Sequence, residues 1–170
     1  MTEKLKVYID PGHGGKDSGA VHEGIREADV VLLIGLRLAK LLDQRGCDVL
    51  MSRTGNTYPS LKGRVVQANR WPADIFVSLH VNADPDPDYK DMPVAKGEEI
   101  WINRRKGKQP SKGSKLLAEC LAPGVDAVFP DHRFRGIKTT GGICVISESD
   151  MPAVLIELGF IDNTEELALL

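Results

Sequence analysis

Apolar and polar positions along the 170-residue chain switch repeatedly between a short strand-like run and a helical stripe. The run LKVYI at 5–9 predicts a strand that leads into a glycine-rich polar loop. From Glu27 to Arg45, apolar residues recur at Val31, Ile34, Leu38, Leu41 and Leu42, which predicts a helix closed by Gly46. CDVLMS at 47–52 predicts a second strand. Ser60 is placed to cap a helix from Leu61 to about Arg70, which Pro72 closes. DIFVSLH at 74–80 is a third strand, and its nearly unbroken apolar centre predicts burial on both faces. GEEIWIN at 97–103 predicts a fourth. Ser111 or Ser114 opens a helix to about Leu121, with Pro123-Gly124 breaking it or its extension. GICVIS at 142–147 and AVLIEL at 153–158 read as two more strands, and Asn163-Thr164 opens a last helix in EELALL.

Such alternation predicts a single α/β domain: a mixed, mostly parallel twisted sheet of about six strands flanked by helices. No internal repeat or low-complexity linker interrupts it, and NADPDPDYKDMPVAK at 82–96 reads as a surface loop. A net charge of −2, from 22 Lys+Arg against 24 Asp+Glu, makes no electrostatic case for nucleic acid. No apolar run approaches the ~20 residues of a membrane span, and the start, MTEKLKVYID, does not read as a secretion signal. Cys47, Cys120 and Cys144 are an odd count without a CxxC pair, against a disulfide framework or thiolate zinc site. Their apolar surroundings predict reduced, buried, structural thiols.

In open α/β sheets the functional crevice lies at the carboxyl ends of the strands. His13 follows the first strand, His80 ends the third, and Glu157 lies at the end of AVLIEL. Glu27 heads the helix that starts at the same edge, in register with 31, 34 and 38. Two imidazoles and two carboxylates at one rim are the groups that a catalytic zinc site uses. The loop IDPGHGGKDSGA is not a phosphate cradle, because Asp17 follows Lys16 and also occupies the third glycine position of GxGxxG. Its glycines instead leave the approach to His13 open. Position alone leaves other readings standing: a solvated His13, a hydrogen-bonded His80, or a buried ion pair of Glu157 with Arg53 or Arg64.

IDPGHGGKDSGA, IREADVVL, SRTGNTYPSLKGRVVQAN, FVSLHVNA and PAVLIELGFIDNTEE resemble, in this order, motifs of the zinc-dependent N-acetylmuramoyl-L-alanine amidases of the amidase-3 type. These are cell-wall hydrolases of bacteria and phages, and the resemblance covers nearly the whole chain. It implies a catalytic domain over 1–170, without a wall-binding module, on a mostly parallel sheet. It implies Zn2+ on His13, Glu27 and His80, with Glu157 as general base and then acid. The implied reaction splits the amide between the lactyl group of N-acetylmuramic acid and the L-alanine of the peptidoglycan stem peptide. Asp10 is a candidate to orient a ligand imidazole, and Asn82 a candidate substrate contact. The implied protein is a monomer without membrane insertion that works outside the cytoplasmic membrane, by export or by phage lysis. Only sixteen residues separate His80 from Gly97, and Pro85, Pro87 and Pro93 interrupt them. No inhibitory helix of the kind inserted there in division-associated members is therefore expected.

Two other functions compete. A zinc carboxypeptidase-like peptidase would use the same donors, but needs an arginine clamp that the sequence does not identify. A non-catalytic wall-binding module would have no use for both Glu27 and Glu157. His22 and Glu23 fall out of helical register and read as a solvated loop, and His132 reads as a surface residue. The basic run RRKGKQPSKGSK at 104–115 reads as a solvated loop, and Trp71 and Trp101 as packing residues.

Overall fold

Four parallel strands and two reversed ones form the sheet, which carries Asp10, His80, Asn82 and Glu157; His13 follows its first strand and Glu27 heads the helix beside it. The computed structural model describes residues 3–84, 95–104, 111–128 and 134–170. In chain order these form β1 (Lys6–Pro11), a small hairpin of β2 (Val21–His22) with β3 (Ile25–Arg26), α1 (Glu27–Gln44) and β4 (Asp48–Met51). There follow α2 (Leu61–Arg70), β5 (Ile75–Asn82), β6 (Glu99–Asn103) and α3 (Lys112–Asp126). The last elements are β7 (Ile137–Thr140), α4 (Cys144–Ser147), β8 (Ala153–Phe160) and α5 (Thr164–Leu167). The sheet order is β4-β1-β5-β8-β6-β7. β4, β1, β5 and β8 run parallel, β6 is antiparallel to β8, and β7 is parallel to β6. This is the mixed, mostly parallel architecture expected from the alternation of elements.

The two faces of the sheet follow from the period-two placement of side chains. On one face Val7, Ile9, Val77, Leu79, Val154, Ile156, Ile100 and Ile102 pack with Val31 of α1 and Ala118 of α3. On the other, Tyr8, Phe76, Ala153 and Leu155 pack with Val65 and Ala68 of α2 and Val145 and Ile146 of α4. Tyr8 and Phe76 stack with ring centroids 5.2 Å apart. Each fully buried chain of this size contributes ~1.5–3 kcal/mol relative to exposure. Continuing the second face toward the carboxyl edge, the same alternation turns polar: Tyr8 gives way to Asp10, Phe76 to Ser78 and His80, Leu155 to Glu157.

Capping residues set the helix starts. Ser60 Oγ accepts from Gly63 N at 3.1 Å, Ser111 from Ser114 N at 3.0 Å, and Asn163 from Glu165 N and Glu166 N. Ser111, not Ser114, is thus the cap of α3. α3 runs through Pro123 to Asp126, beyond the break expected there.

One expected strand is wrong: Cys144–Ser147 of GICVIS is helix, closed by Ser147 N to Ile143 O and Glu148 N to Cys144 O. Short apolar runs fit a buried helical turn as well as a strand, and this one buries Val145 and Ile146 over α2. The sixth sheet strand is β7, IKTT, whose polar alternation on an edge carries no apolar signal. The loop holding His22 and Glu23 is the β2–β3 hairpin, turned by Glu23 and Gly24 at φ 49° and 81°. All three cysteines are free; none is fully buried, and Cys120 is exposed, contrary to expectation. Trp71 and Trp101 pack against the α2/α4 face. His132, residues 85–94 of the segment expected to lack an inhibitory helix, and 105–110 of the basic run lie outside the described residues.

Candidate metal centre

Strand β1 ends in a tight turn whose shape depends on glycine. His13 has φ 57°, followed by Gly14 at 115° and Gly15 at 57°. Gly14 and Asp17 exchange both backbone hydrogen bonds, 2.7 and 3.0 Å, which folds Asp17 back over the imidazole. Asp17 Oδ2 lies 3.0 Å from His13 Nδ1. On the other side of the ring, His13 Nε2 lies 3.2 Å from Glu27 Oε2.

Glu27 sits at the first position of α1, and its carboxylate is nearly immobilised. Ala20 N donates to Oε2 at 3.0 Å and Val81 N to Oε1 at 3.1 Å. His80 Nδ1 lies 2.8 Å from Oε1, so one carboxylate stands between two imidazoles. Burial works to raise the Glu27 pKa, but the bonds and charges of His13 and His80 outweigh it and hold the group well below the usual carboxylate range. Burial also works against the charged His13 ring, yet Glu27 and then Asp17 hold its pKa above the usual value. The rings of His13 and His80 meet edge to face, 4.8 Å between centroids.

Donor atoms of His13, Glu27 and His80 all lie within 4.8 Å of one another. Two nitrogens and one carboxylate oxygen at this spacing fit zinc, which takes such sets tetrahedrally with one position open. Two glycines make room for them. A Cβ on Gly12 would collide with the His80 imidazole, and one on Gly19 (φ 64°) with Glu27 Oε2. Gly12 cannot move aside, because its N–H donates to Leu79 O at 3.0 Å and its carbonyl accepts from Arg53 Nη2 at 2.7 Å. Gly12→Ala is accordingly expected to lower metal affinity ~10–100-fold, as loss of a ligand-orienting contact does; competition with a chromophoric chelator would read this directly.

Glu157 occupies the register position directly beside His80 across the β5–β8 pair. Its Oε2 is buried with no hydrogen-bond partner. Burial pushes the carboxyl up to about 7; His80 opposes the shift, and the charges of Glu27 and Glu99 add to it. Glu157, His13 and His80 border a cleft of about 450 Å³ whose apolar wall includes Tyr58, Leu61 and Ile143. Among the described residues no arginine pairs with Glu157. Arg64 goes instead to Asp10, Nη1 to Oδ1 at 2.7 Å, and the second Asp10 oxygen accepts from Ser78 Oγ at 3.0 Å. Asp10 is therefore spent on the loop frame, and the carboxylate on the Nδ1 side of the His13 imidazole is Asp17. Asn82 turns its amide oxygen to Ala83 N at 2.9 Å, past a bulge that separates it from His80.

Arg53 and Arg64 escaped the sequence reading as parts of the site. Arg64 Nη1 and Nη2 donate to the carbonyls of Pro11 and His13 at 2.8 and 2.7 Å. Arg53 donates to those of Pro11, Gly12 and Ala28 at 3.0, 2.7 and 2.7 Å. Two buried guanidinium groups thus clamp the histidine loop by its main chain. The sequence offered little signal, because Arg53 stands in the polar run SRTGN and Arg64 follows Lys62 and Gly63; their acceptors carry no mark in a sequence.

A mostly parallel sheet with a two-histidine, one-glutamate cluster at its carboxyl edge defines an α/β domain with a candidate metal-binding group at that edge. Comparison with known proteins sharpens this: the chain belongs to the N-acetylmuramoyl-L-alanine amidase family, whose profile matches residues 7–170. It is 37% identical over 164 residues to the sporulation-specific N-acetylmuramoyl-L-alanine amidase of Bacillus subtilis, covering 95% of this chain and 58% of that one. It is 37% identical over 171 residues to the endolysin of Bacillus phage SPP1, covering 96% and 58%. The chain therefore spans under two thirds of the length of these curated relatives. Among solved structures, an N-acetylmuramoyl-L-alanine amidase from Clostridium difficile 630 matches with a TM-score of 0.84 at 38% identity, covering 98% of this chain and 86% of that one. The catalytic domain of CwlV, from Bacillus (Paenibacillus) polymyxa, matches with 0.83 at 32% identity, covering 96% and 85%.

Proposed function

We propose that the chain hydrolyses the amide between the lactyl group of N-acetylmuramic acid and the L-alanine of the stem peptide in peptidoglycan, with zinc on His13, Glu27 and His80. The observation that carries this reading is the pairing of His80 with Glu157 on adjacent strands, beside a carboxylate already shared by both imidazoles. Glu157 is a second acid whose buried Oε2 has no hydrogen-bond partner among the described residues. Zinc held there supplies Lewis acidity at the scissile carbonyl and at the attacking water. Glu157 takes one proton from that water as its oxygen bonds to the carbonyl carbon. The same carboxyl then passes the proton to the departing nitrogen as the C–N bond breaks; the water's second proton leaves the new lactyl carboxyl for the freed L-alanine amine, so the products are a lactyl carboxylate and an L-alanine ammonium. In the metal-free protein burial raises this carboxyl to about 7, a direction that helps it hold the proton between the two halves of that transfer. Glu27 does not exchange protons in this scheme, because two backbone N–H groups and two imidazoles hold it ionised.

Its substrate is assembled outside the cytoplasmic membrane, and there the enzyme is expected to act. No described helix is long and apolar enough to cross a membrane. Digestion of purified peptidoglycan tests the reading. Metal-loaded protein should release L-alanine amino groups, a chelator should stop the release, and added zinc should restore it. Release of amino acids from the carboxyl end of the stem peptide would instead favour the carboxypeptidase-like alternative, and binding without any release a wall-binding module.

A further inference from the structure

The polar face of the sheet does not end at Glu157. Across the antiparallel pair, Glu99 of β6 stands directly beside Glu157, and Trp101 beside Leu155. Lys138 of β7 is the register partner of Trp101, so it projects on the same face. Glu99 is 2% exposed and carries two cations on one oxygen: Arg135 Nε and Lys138 Nζ both lie 2.6 Å from Oε1. The other oxygen accepts from Trp101 Nε1 at 3.0 Å. Arg135 Nη1 makes one further bond, to Lys96 O at 3.3 Å, and its guanidinium lies over the Phe160 ring. The Lys138 ammonium lies 5.3 Å from the centre of the Trp101 ring.

Two positive charges thus share one carboxylate, and among the described residues one charge is left over. The Glu99 carboxylate is buried, whereas the Arg135 and Lys138 side chains are 39% and 32% exposed. Glu99 holds both cations in place, and part of each cationic side chain is open to solvent. A second anion would complete the set with charge-assisted bonds to donors already oriented, at little ordering cost.

The direction of the chemistry says which anion arrives there. Glu157 must give a proton to the departing nitrogen, so the stem peptide lies on the Glu157 side of the two histidines. Crossing the sheet that way leads from β5 to β8, then β6, then β7. Neighbouring strands are ~4.8 Å apart, which puts the β7 backbone about 10 Å beyond Glu157, the reach of about three extended residues. We propose that Arg135 and Lys138 form a carboxylate-binding subsite for the departing stem peptide, close to its L-alanine; this rests on the amidase reading above.

The test uses the full chain loaded with zinc and two muramoyl-L-alanyl peptides that differ only in ending as a carboxylate or a carboxamide. Wild type is expected to prefer the carboxylate by roughly tenfold or more in kcat/KM, the worth of a charged hydrogen-bonded pair. Lys138→Gln and Arg135→Gln should each shrink that preference, and the double variant should abolish it. A merely structural role for the cations would slow both peptides alike and leave the ratio untouched. An equal rate on both peptides in wild type, or a ratio that survives the double variant, overturns the subsite. Calorimetry with the two corresponding L-alanyl peptides reads the same preference without turnover. If neither muramoyl peptide is cleaved, the amidase reading has failed, and the binding preference alone then decides the subsite.

Discussion

Glu157→Gln is expected to lower kcat by ~10²–10⁴-fold, the usual worth of a positioned acid–base group, with metal content unchanged. The substitution keeps the shape of the side chain and removes its ability to carry a proton. Glu157 stands beside His80 in the β5–β8 register but is not one of the three clustered donor residues, so metal affinity should stay within a few-fold of wild type. A variant that cleaves peptidoglycan at the wild-type rate would remove Glu157 from the reaction. The same pair of proteins carries an independent readout in the metal-free state. Burial raises the folded-state pKa of Glu157 from the ordinary 4.5 to about 7, so the folded chain binds this proton more tightly than the unfolded one. The contribution is complete below about pH 4.5 and is lost as pH rises through about 7. Metal-free wild type should therefore fall behind metal-free Glu157→Gln across that window, by up to about 3 kcal/mol. Urea unfolding at pH 5 and pH 8 measures the difference; equal losses in both proteins would show that the carboxyl is not held protonated.

What the sequence made visible, and what it hid, divides along physical lines. His80 and Glu157 stood out because each interrupts an apolar strand, and a polar group there needs a reason. Glu27 stood out because it continues the buried stripe of α1 at the helix's first position. Period-two alternation then carried both strand residues to one face, where they lie side by side. Asp17 was missed because its place beside His13 comes from a four-residue turn made by positive-φ glycines, not from any periodicity. Asp10 drew notice in its stead because it precedes the histidine in an apolar strand, and its real partners are Arg64 and Ser78. The exchange of β7 and α4 has a similar cause: IKTT is a polar edge strand defined by its neighbour, while CVIS is apolar enough to look like a strand and too short to show a helical stripe. The cationic pair on Glu99 was out of reach altogether, since Arg135 and Lys138 come from 36 and 39 residues away.

Arg64→Met is expected to destabilise the protein by about 3–5 kcal/mol, the cost of leaving one member of a buried ion pair alone. Both partners are 2% exposed, so neither can turn to water when the other is removed. Arg64 also satisfies the carbonyls of Pro59, Pro11 and His13, and a methionine of similar reach satisfies none of them. Arg64→Lys should fall between the two, because an ammonium keeps the charge but cannot span four acceptors fixed by a planar fork. The companion substitution Asp10→Asn separates charge from packing. If the stranded carboxylate dominates, Asp10→Asn with Arg64→Met should be more stable than Arg64→Met alone, by at least 1 kcal/mol or so in a double-mutant cycle. If the loop carbonyls dominate, the double variant gains nothing. The two cases also differ at the metal. Arg64 holds the main chain of His13 itself, so in either case Arg64→Met should weaken metal binding, whereas Asp10→Asn should weaken it only as far as Arg64 shifts. Wild-type urea midpoints and metal affinity in Arg64→Met would mean that the histidine loop keeps its shape without the clamp. The left-handed backbone of His13 would then be an intrinsic property of GHGG rather than one imposed by the two arginines.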